Sequence, residues 1–151
     1  MKSQFKYRVK YLAWLGVFVN IVIIFALTSQ DATATTQLSS NTRDMIVEIT
    51  NTAVEVAQYS WWYVNIRKLG HIPEYFGLGV TTAFAWHVTR RRRWILKTIL
   101  MCATVSLSDQ LLKGMLPTRE FDVTDLPFDL VGYGVGILIV MMVTWIMRHL
   151  R

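Results

Sequence analysis

Apolar residues along this chain gather in four runs, separated by stretches in which polar and charged residues dominate. The first, Tyr11 to Leu27, has Asn20 as its only strongly polar residue. The second extends from about Ile72 to Val88, and the third from Trp94 to Leu107, with its helix continuing through Leu112. The fourth runs from about Pro127 to Met147. A helix rises about 1.5 Å per residue, so a run of this order crosses a hydrocarbon core about 30 Å thick. Lipid offers backbone amides no partner, and a helix satisfies them within one segment. The pattern therefore predicts an all-α membrane protein. It is a bundle of four transmembrane helices at about 11–27, 72–88, 94–112 and 127–147, in one domain covering 1–151.

The connections carry their own signals. Thr28 to about Asn51 is polar and rich in Ser and Thr, with no run long enough to span. Met45 to Val64 mixes apolar and polar positions and ends in Trp61-Trp62-Tyr63, aromatic residues of the kind that sit at headgroup level. It reads as a helix lying on the membrane surface or, equally, as a loop hairpin packed on the bundle. Lys113 to Leu126 reads as a polar loop. Pro73 suits the first turn of the second span, and in a helix that starts nearer Lys68 it introduces a kink. Lys2, Lys6, Arg8 and Lys10 before the first run resemble the start of a signal peptide, and Ala32-Thr33-Ala34 resembles its cleavage site. The apolar run is longer than the usual ~7–15 residues, and that site lies well past its end, so the segment reads as an uncleaved anchor.

Composition agrees with lipid as the solvent: 53% of residues are hydrophobic and the mean hydropathy is +0.34. Sixteen Lys and Arg against ten Asp and Glu give a net charge of +6, which in a soluble protein would point to nucleic acid. Its placement points elsewhere. Lys2, Lys6, Arg8, Lys10, Arg90 to Arg93, Lys97, Arg148 and Arg151 all fall on one side of the expected membrane, and every carboxylate falls on the other. The positive-inside rule places both termini in the cytoplasm and makes the arginine run a topology signal, so no nucleic-acid partner is expected. Cys102 is the only cysteine, which excludes an intrachain disulfide, and its apolar surroundings mark it as a buried small hydrophobe.

The informative polar residues gather at the outer ends of the spans. Lys68, His71 and Tyr75, at i, i+3 and i+7, share one helix face. Asp109 stands near the negative pole of the third helix and needs a cation, for which Arg119 and Lys68 are the candidates. Ionisable groups at membrane depth are functional suspects, and the structural alternative is an ion pair that sets helix register. Asp125, just before Leu126-Pro127, suits a helix N-cap, with Asp129 in the first turn helped by the dipole. Asp122, Asp125 and Asp129 together offer oxygen ligands to a divalent cation, although no metal or cofactor is expected. Gly132, Gly134 and Gly136 read as small-residue packing, Gly132 and Gly136 having GxxxG spacing. His87 and His149 have no visible partner and are assigned no chemistry.

An ordered set of these residues resembles the VanZ-like family of bacterial membrane proteins, whose namesake is associated with low-level teicoplanin resistance. The matching positions are Ser29 and Gln30; Lys68, His71 and Tyr75; Asp109; Pro117 and Arg119; and Asp122, Asp125, Gly132 and Gly136. The resemblance runs from about Phe25 to Val140. Gln110 stands where the family usually has Glu, Lys113 where it has Gln, Thr118 where it has Gly, and Asp129 where Asn is common. It implies a multi-pass protein of the bacterial plasma membrane with a polar site facing outward. Lys68, His71, Tyr75, Asp109, Arg119, Asp122, Asp125 and Asp129 are the candidate ligand-binding residues. The expected ligand is a lipid headgroup, a cell-wall precursor or a glycopeptide-like molecule, held as an anion by Lys68 and Arg119. The alternative is an enzyme on a lipid-linked substrate, with His71 and Asp109 or Asp125 as acid–base groups and Arg119 stabilising negative charge. Transport is disfavoured, because the span interiors carry few polar residues and no internal repeat is present.

Overall fold

The first apolar run belongs to a helix that starts well before it. In the computed structural model, which describes residues 2–30, 32–50, 60–89, 92–117 and 119–150, α1 covers Lys2–Thr28. There follow α2 (Ala32–Thr50), the short α3 (Trp61–Val64), α4 (Ile66–Val88) and α5 (Trp94–Met115). A 3₁₀ turn at Val123–Asp125 leads into α6 (Leu126–His149), and no strand occurs among the described residues.

Among the described residues three segments are long and apolar enough to cross a membrane: Tyr7–Thr28 in α1, Trp94–Met115, and Val123–His149. They leave large apolar side chains on their outer faces, among them Leu12 and Phe18 of α1, Leu100 of α5, and Leu138 and Trp145 of α6. Water would penalise so continuous an apolar surface, whereas lipid does not. This is a membrane protein. The second apolar run, in α4, is less apolar for a structural reason: α4 is the central helix, packed against α1, α2, α3, α5 and α6. Facing protein on several sides, it carries Arg67, Lys68, His71 and Glu74 in its first turns and buries Tyr75, Leu78, Ala83 and Ala85 further along.

Glycines set the closest of these contacts. A Cβ on Gly136 would lie 2.7 Å from the Phe76 carbonyl oxygen and 2.8 Å from the Val80 amide, and one on Gly132 would lie 2.5 Å from the Ile72 oxygen. On the opposing helix, a Cβ on Gly79 would meet the Tyr133 backbone at 2.6 Å. The GxxxG spacing thus brings α4 and α6 together backbone to backbone. Gly134 is the exception among the three glycines of α6: a Cβ there meets nothing within 4 Å. Cys102 is fully buried in the main apolar cluster, with Ile24, Leu78, Val105 and Ile137.

Several boundaries differ from the sequence pattern. The Ser/Thr-rich stretch after α1 is helical as α2, with hydroxyls turned back on its own carbonyls, as in Thr42 to Leu38 and Thr50 to Ile46. That internal bonding lets a polar sequence remain helical. Its exposed Leu38, Met45 and Ile49 recur at helical spacing along one face. Residues 51–59 of the expected surface segment, and Arg90 and Arg91 of the arginine run, lie outside the described residues. Trp61 stacks on Phe128 with ring centroids 6.2 Å apart. Because α4 begins at Ile66, Pro73 sits inside it rather than in its first turn, and the Leu69 carbonyl loses its helical donor. Lys113 is not in a loop: it lies in the last turn of α5.

Candidate functional site

At one end of the bundle α1 and α5 stop and α4 and α6 begin, so the polar residues flanking the apolar runs converge there. Asp109 is 1% exposed and accepts a hydrogen bond from the Thr28 hydroxyl at the end of α1. Its cation is Lys113, one turn on in the same helix, with Nζ 3.1 Å from Asp109 Oδ2. This corrects the expectation of Arg119 or Lys68. The i, i+4 spacing brings Lys113 back over Asp109, nearer than either of those side chains.

Lys113 is 2% exposed and ties the cluster together. Besides Asp109, its ammonium reaches Asp125 Oδ2 at 3.3 Å and His71 Nε2 at 3.2 Å. His71 Nε2 also lies 3.4 Å from Asp125 Oδ2. On the far side of the ring, Nδ1 is 2.9 Å from Asp129 Oδ1, at ion-pair distance but without hydrogen-bond alignment. Asp129 is fully buried, and its other oxygen accepts from Ser106 at 2.6 Å. Gln110 completes the network. In the amide orientation that satisfies both its ends, it accepts from Lys113 at 3.2 Å and donates to the Asp122 carbonyl at 3.2 Å. Tyr75, one turn below His71 and fully buried, stacks on the imidazole with centroids 6.2 Å apart. Its hydroxyl has no aligned hydrogen bond among the described residues.

Two expectations for the carboxylates change. Asp125 occupies the N-cap position of α6 but makes no capping bond, because its side chain turns inward to Lys113 and His71. Asp122 caps the 3₁₀ turn before α6, accepting from the Thr124 amide at 2.9 Å and the Thr124 hydroxyl at 2.6 Å. Nor do Asp122, Asp125 and Asp129 converge on a common point where a cation would sit. Asp122 faces Lys68, while Asp125 and Asp129 lie on opposite sides of the His71 ring, and no group of three ligands suited to a metal occurs among the described residues.

Lys68 stands apart from the buried network. At the rim it lies 3.3 Å from Asp122 Oδ2 and donates to the Thr124 hydroxyl. The Thr124 side-chain and backbone hydrogen bonds, more than Lys68, hold the Asp122 carboxyl below its ordinary value of 3.8. A depressed carboxyl adds stability above its unfolded pKa and loses it as pH falls through the folded one. Asp122→Asn is therefore expected to lower stability slightly at pH 7, by less than about 1 kcal/mol for so exposed a pair. That difference should shrink as pH falls through the carboxyl's lowered folded-state pKa and vanish once the group is protonated in both states. Thermal unfolding of both proteins across that range checks it, and an unchanged difference at low pH would remove the carboxylate from the account.

Above the network a small cleft opens to solvent, lined by Leu27, Thr28, Gln30, Leu38, Arg67, His71, Glu74, Lys113 and Arg119. Arg119 donates through Nε and Nη2 to the Gln30 carbonyl at 3.1 and 2.9 Å, and through Nη2 to Leu27 at 3.5 Å. These acceptors lie at the end of α1, where carbonyls lack helical donors, so Arg119 straps the α5–α6 loop to α1. Its pKa lies below the ordinary arginine value, first through burial and then through the neighbouring Arg67 charge, yet arginine stays protonated. Sequence reasoning missed Arg67, Glu74 and Lys113. Arg67, His71 and Glu74 have i, i+4, i+7 spacing, the same kind of signal as Lys68–His71–Tyr75 but on the neighbouring stripe of the helix.

The VanZ/LLP1 family model matches residues 12–146, a stretch that contains the whole cluster and cleft. The chain belongs to the VanZ/LLP1 family. No curated protein and no solved structure matches it. In this VanZ/LLP1 protein three of the departures from the expected pattern, Gln110, Lys113 and Asp129, are linked through one set of contacts. Gln110 meets Lys113, Lys113 meets His71, and His71 meets Asp129.

Proposed function

We propose that this VanZ/LLP1 membrane protein binds an anionic ligand, a lipid headgroup, cell-wall precursor or glycopeptide-like molecule, in the cleft above the His71–Lys113 network. One observation carries the reading: Arg119, Lys113 and His71 face a single opening, and behind them Asp109, Asp125 and Asp129 hold the lysine and imidazole in place. Buried charge is tolerated only when paired, and here the pairing fixes basic groups at the floor of an accessible cleft. Lys68, engaged with Asp122 and Thr124 at the rim, has no part in it.

In this proposal α4 is the fourth membrane span, both termini are cytoplasmic, and the cleft opens on the outer face of the bacterial plasma membrane. The asymmetry of basic and acidic residues supports that orientation. Reporter fusions after Arg93 and Arg151 are then expected in the cytoplasm, and fusions near Ser40 and Glu120 outside. An external Arg93 fusion would overturn the orientation. The ligand reading is tested by mass spectrometry of molecules that co-purify with the intact protein. An anionic amphiphile or precursor retained by wild type and lost from Arg119→Gln supports it, and equal retention by the two proteins counts against it. A link to glycopeptide resistance would follow if cells carrying wild type, but not that variant, tolerate teicoplanin better.

A second reading, enzyme action on a lipid-linked substrate, draws on the carboxylate behind His71. An imidazole that lines the cleft, with Asp129 beside one nitrogen and Lys113 and Asp125 beside the other, is placed to pass a proton. The orienting carboxylate is then Asp129, with Asp109 engaged by Thr28 and Lys113. Turnover of a lipid-linked substrate by purified protein, abolished in His71→Ala, separates this reading from binding alone.

A further inference from the structure

The cleft contains a charge arrangement that the buried network does not account for. Lys113 is compensated by Asp109 and Asp125, and Arg119 is strapped to carbonyls of Leu27 and Gln30. Arg67 has neither kind of support: it is exposed, lines the same cleft, and has no ion-pair or hydrogen-bond partner among the described residues. Two guanidinium groups that share one opening repel each other, and a doubly charged anion between them reverses that repulsion. Among the described residues Glu74 is the one carboxylate in the lining, and it lies two turns further along α4 than Arg67. Guanidinium forks match phosphate oxygens with paired hydrogen bonds, whereas a carboxylate brings one charge and two oxygens.

Position adds a second constraint. The lining includes Leu27 and Thr28, the last residues of a membrane-length segment, so the cleft lies at the edge of the hydrocarbon, where lipid phosphates reside. Its remaining apolar wall is Leu38 of α2, an exposed residue on the same face as Met45 and Ile49. A small soluble anion has no use for that wall, and an acyl or isoprenoid chain leaving the headgroup does.

We infer that the Arg67 fork, facing the fixed positive charge of Arg119, holds the terminal phosphate of a membrane amphiphile, whose hydrocarbon chain leaves the cleft along Leu27 and Leu38. The inference rests on the anion-binding reading above and narrows it to a phosphate carried on lipid. Arg67 is the new binding residue.

The test uses the full chain in detergent, titrated with dioleoyl phosphatidic acid, dioleoylglycerol, oleate or inorganic phosphate, with affinity read by thermal shift and native mass spectrometry. Phosphatidic acid is expected to bind and dioleoylglycerol not to. Arg67→Gln should weaken phosphatidic acid binding by about 10- to 100-fold, the loss of a charge-assisted contact, with Arg67→Lys in between. Lys68→Gln, at the rim and outside the cleft, should leave it unchanged. Arg67 is exposed, so Arg67→Gln should elute and melt like wild type without ligand. Binding that is indifferent to Arg67 would remove it as the phosphate ligand. Inorganic phosphate binding as tightly as the lipid would make this a free-phosphate site and overturn the amphiphile assignment. Oleate binding as tightly as phosphatidic acid would overturn the phosphate assignment while leaving the broader anion reading intact. No binding of any of the anions would overturn both.

Discussion

Lys113→Met is expected to be the most damaging single change at the site, lowering stability by about 3–5 kcal/mol, the usual result of removing one partner of a buried ion pair. The side chain is 2% exposed and lies within 3.3 Å of Asp109, Asp125 and His71. Without the ammonium, the partners left among the described residues are the Thr28 hydroxyl for Asp109 and His71 for Asp125. Two carboxylates then stay buried around an apolar side chain. Unfolding in detergent, followed by tryptophan fluorescence, measures the loss. Asp109→Asn in the Lys113→Met background should restore part of it, because the two residues share the interaction and their effects do not add. A loss below about 1 kcal/mol, the level of a solvated surface pair, would mean that Lys113 reaches water.

Gly136→Leu is the second large effect, and it acts through the backbone. Even a methyl group at this position would stand 2.7 Å from the Phe76 carbonyl oxygen and 2.8 Å from the Val80 amide, neither of which can rotate aside. Overpacking a tight interior costs about 1–3 kcal/mol, and a collision with helical backbone falls at the upper end of that range or above it. The consequence extends to the site. Gly132, one turn before Gly136, faces the carbonyl of Ile72, the residue next to His71, so the α4–α6 separation also sets the distance from His71 to Asp129. Gly136→Leu is therefore expected to lower both folded yield and ligand retention. Gly134→Leu, with nothing within 4 Å of its Cβ, should leave both unchanged. Equal losses from the two substitutions would show that the α4–α6 crossing does not govern them, since leucine has the higher helix propensity and costs nothing on that account.

Much of the architecture follows from the chain alone. Apolar run length and the absence of partners for amides in lipid make α1, α5 and α6 membrane-length helices without reference to any contact. The spacing of Gly132 and Gly136 marks a packing face, and the clustering of polar residues at the ends of the runs marks the end of the bundle that carries the site. Periodicity is a property of one segment, so a single sequence expresses it well. Partnership between segments is not. Asp109 takes Lys113 rather than Arg119 or Lys68 because the end of α5 stays helical past Leu112, and i, i+4 proximity then wins. Asp125 stands at the N-cap of α6 yet turns its side chain into the network, while Asp122 caps the preceding 3₁₀ turn. Gly134 and Gly136 are equivalent in composition, and only the α4–α6 crossing makes one indispensable and the other open. Gln110, Lys113 and Asp129 stand as separate departures along the chain, and tertiary packing joins them around His71. The chain determines where each charge sits along its own helix. Which charges neutralise one another depends on how four helices rotate to bury them, since a charge left unpaired in the interior would cost more than any local preference supplies.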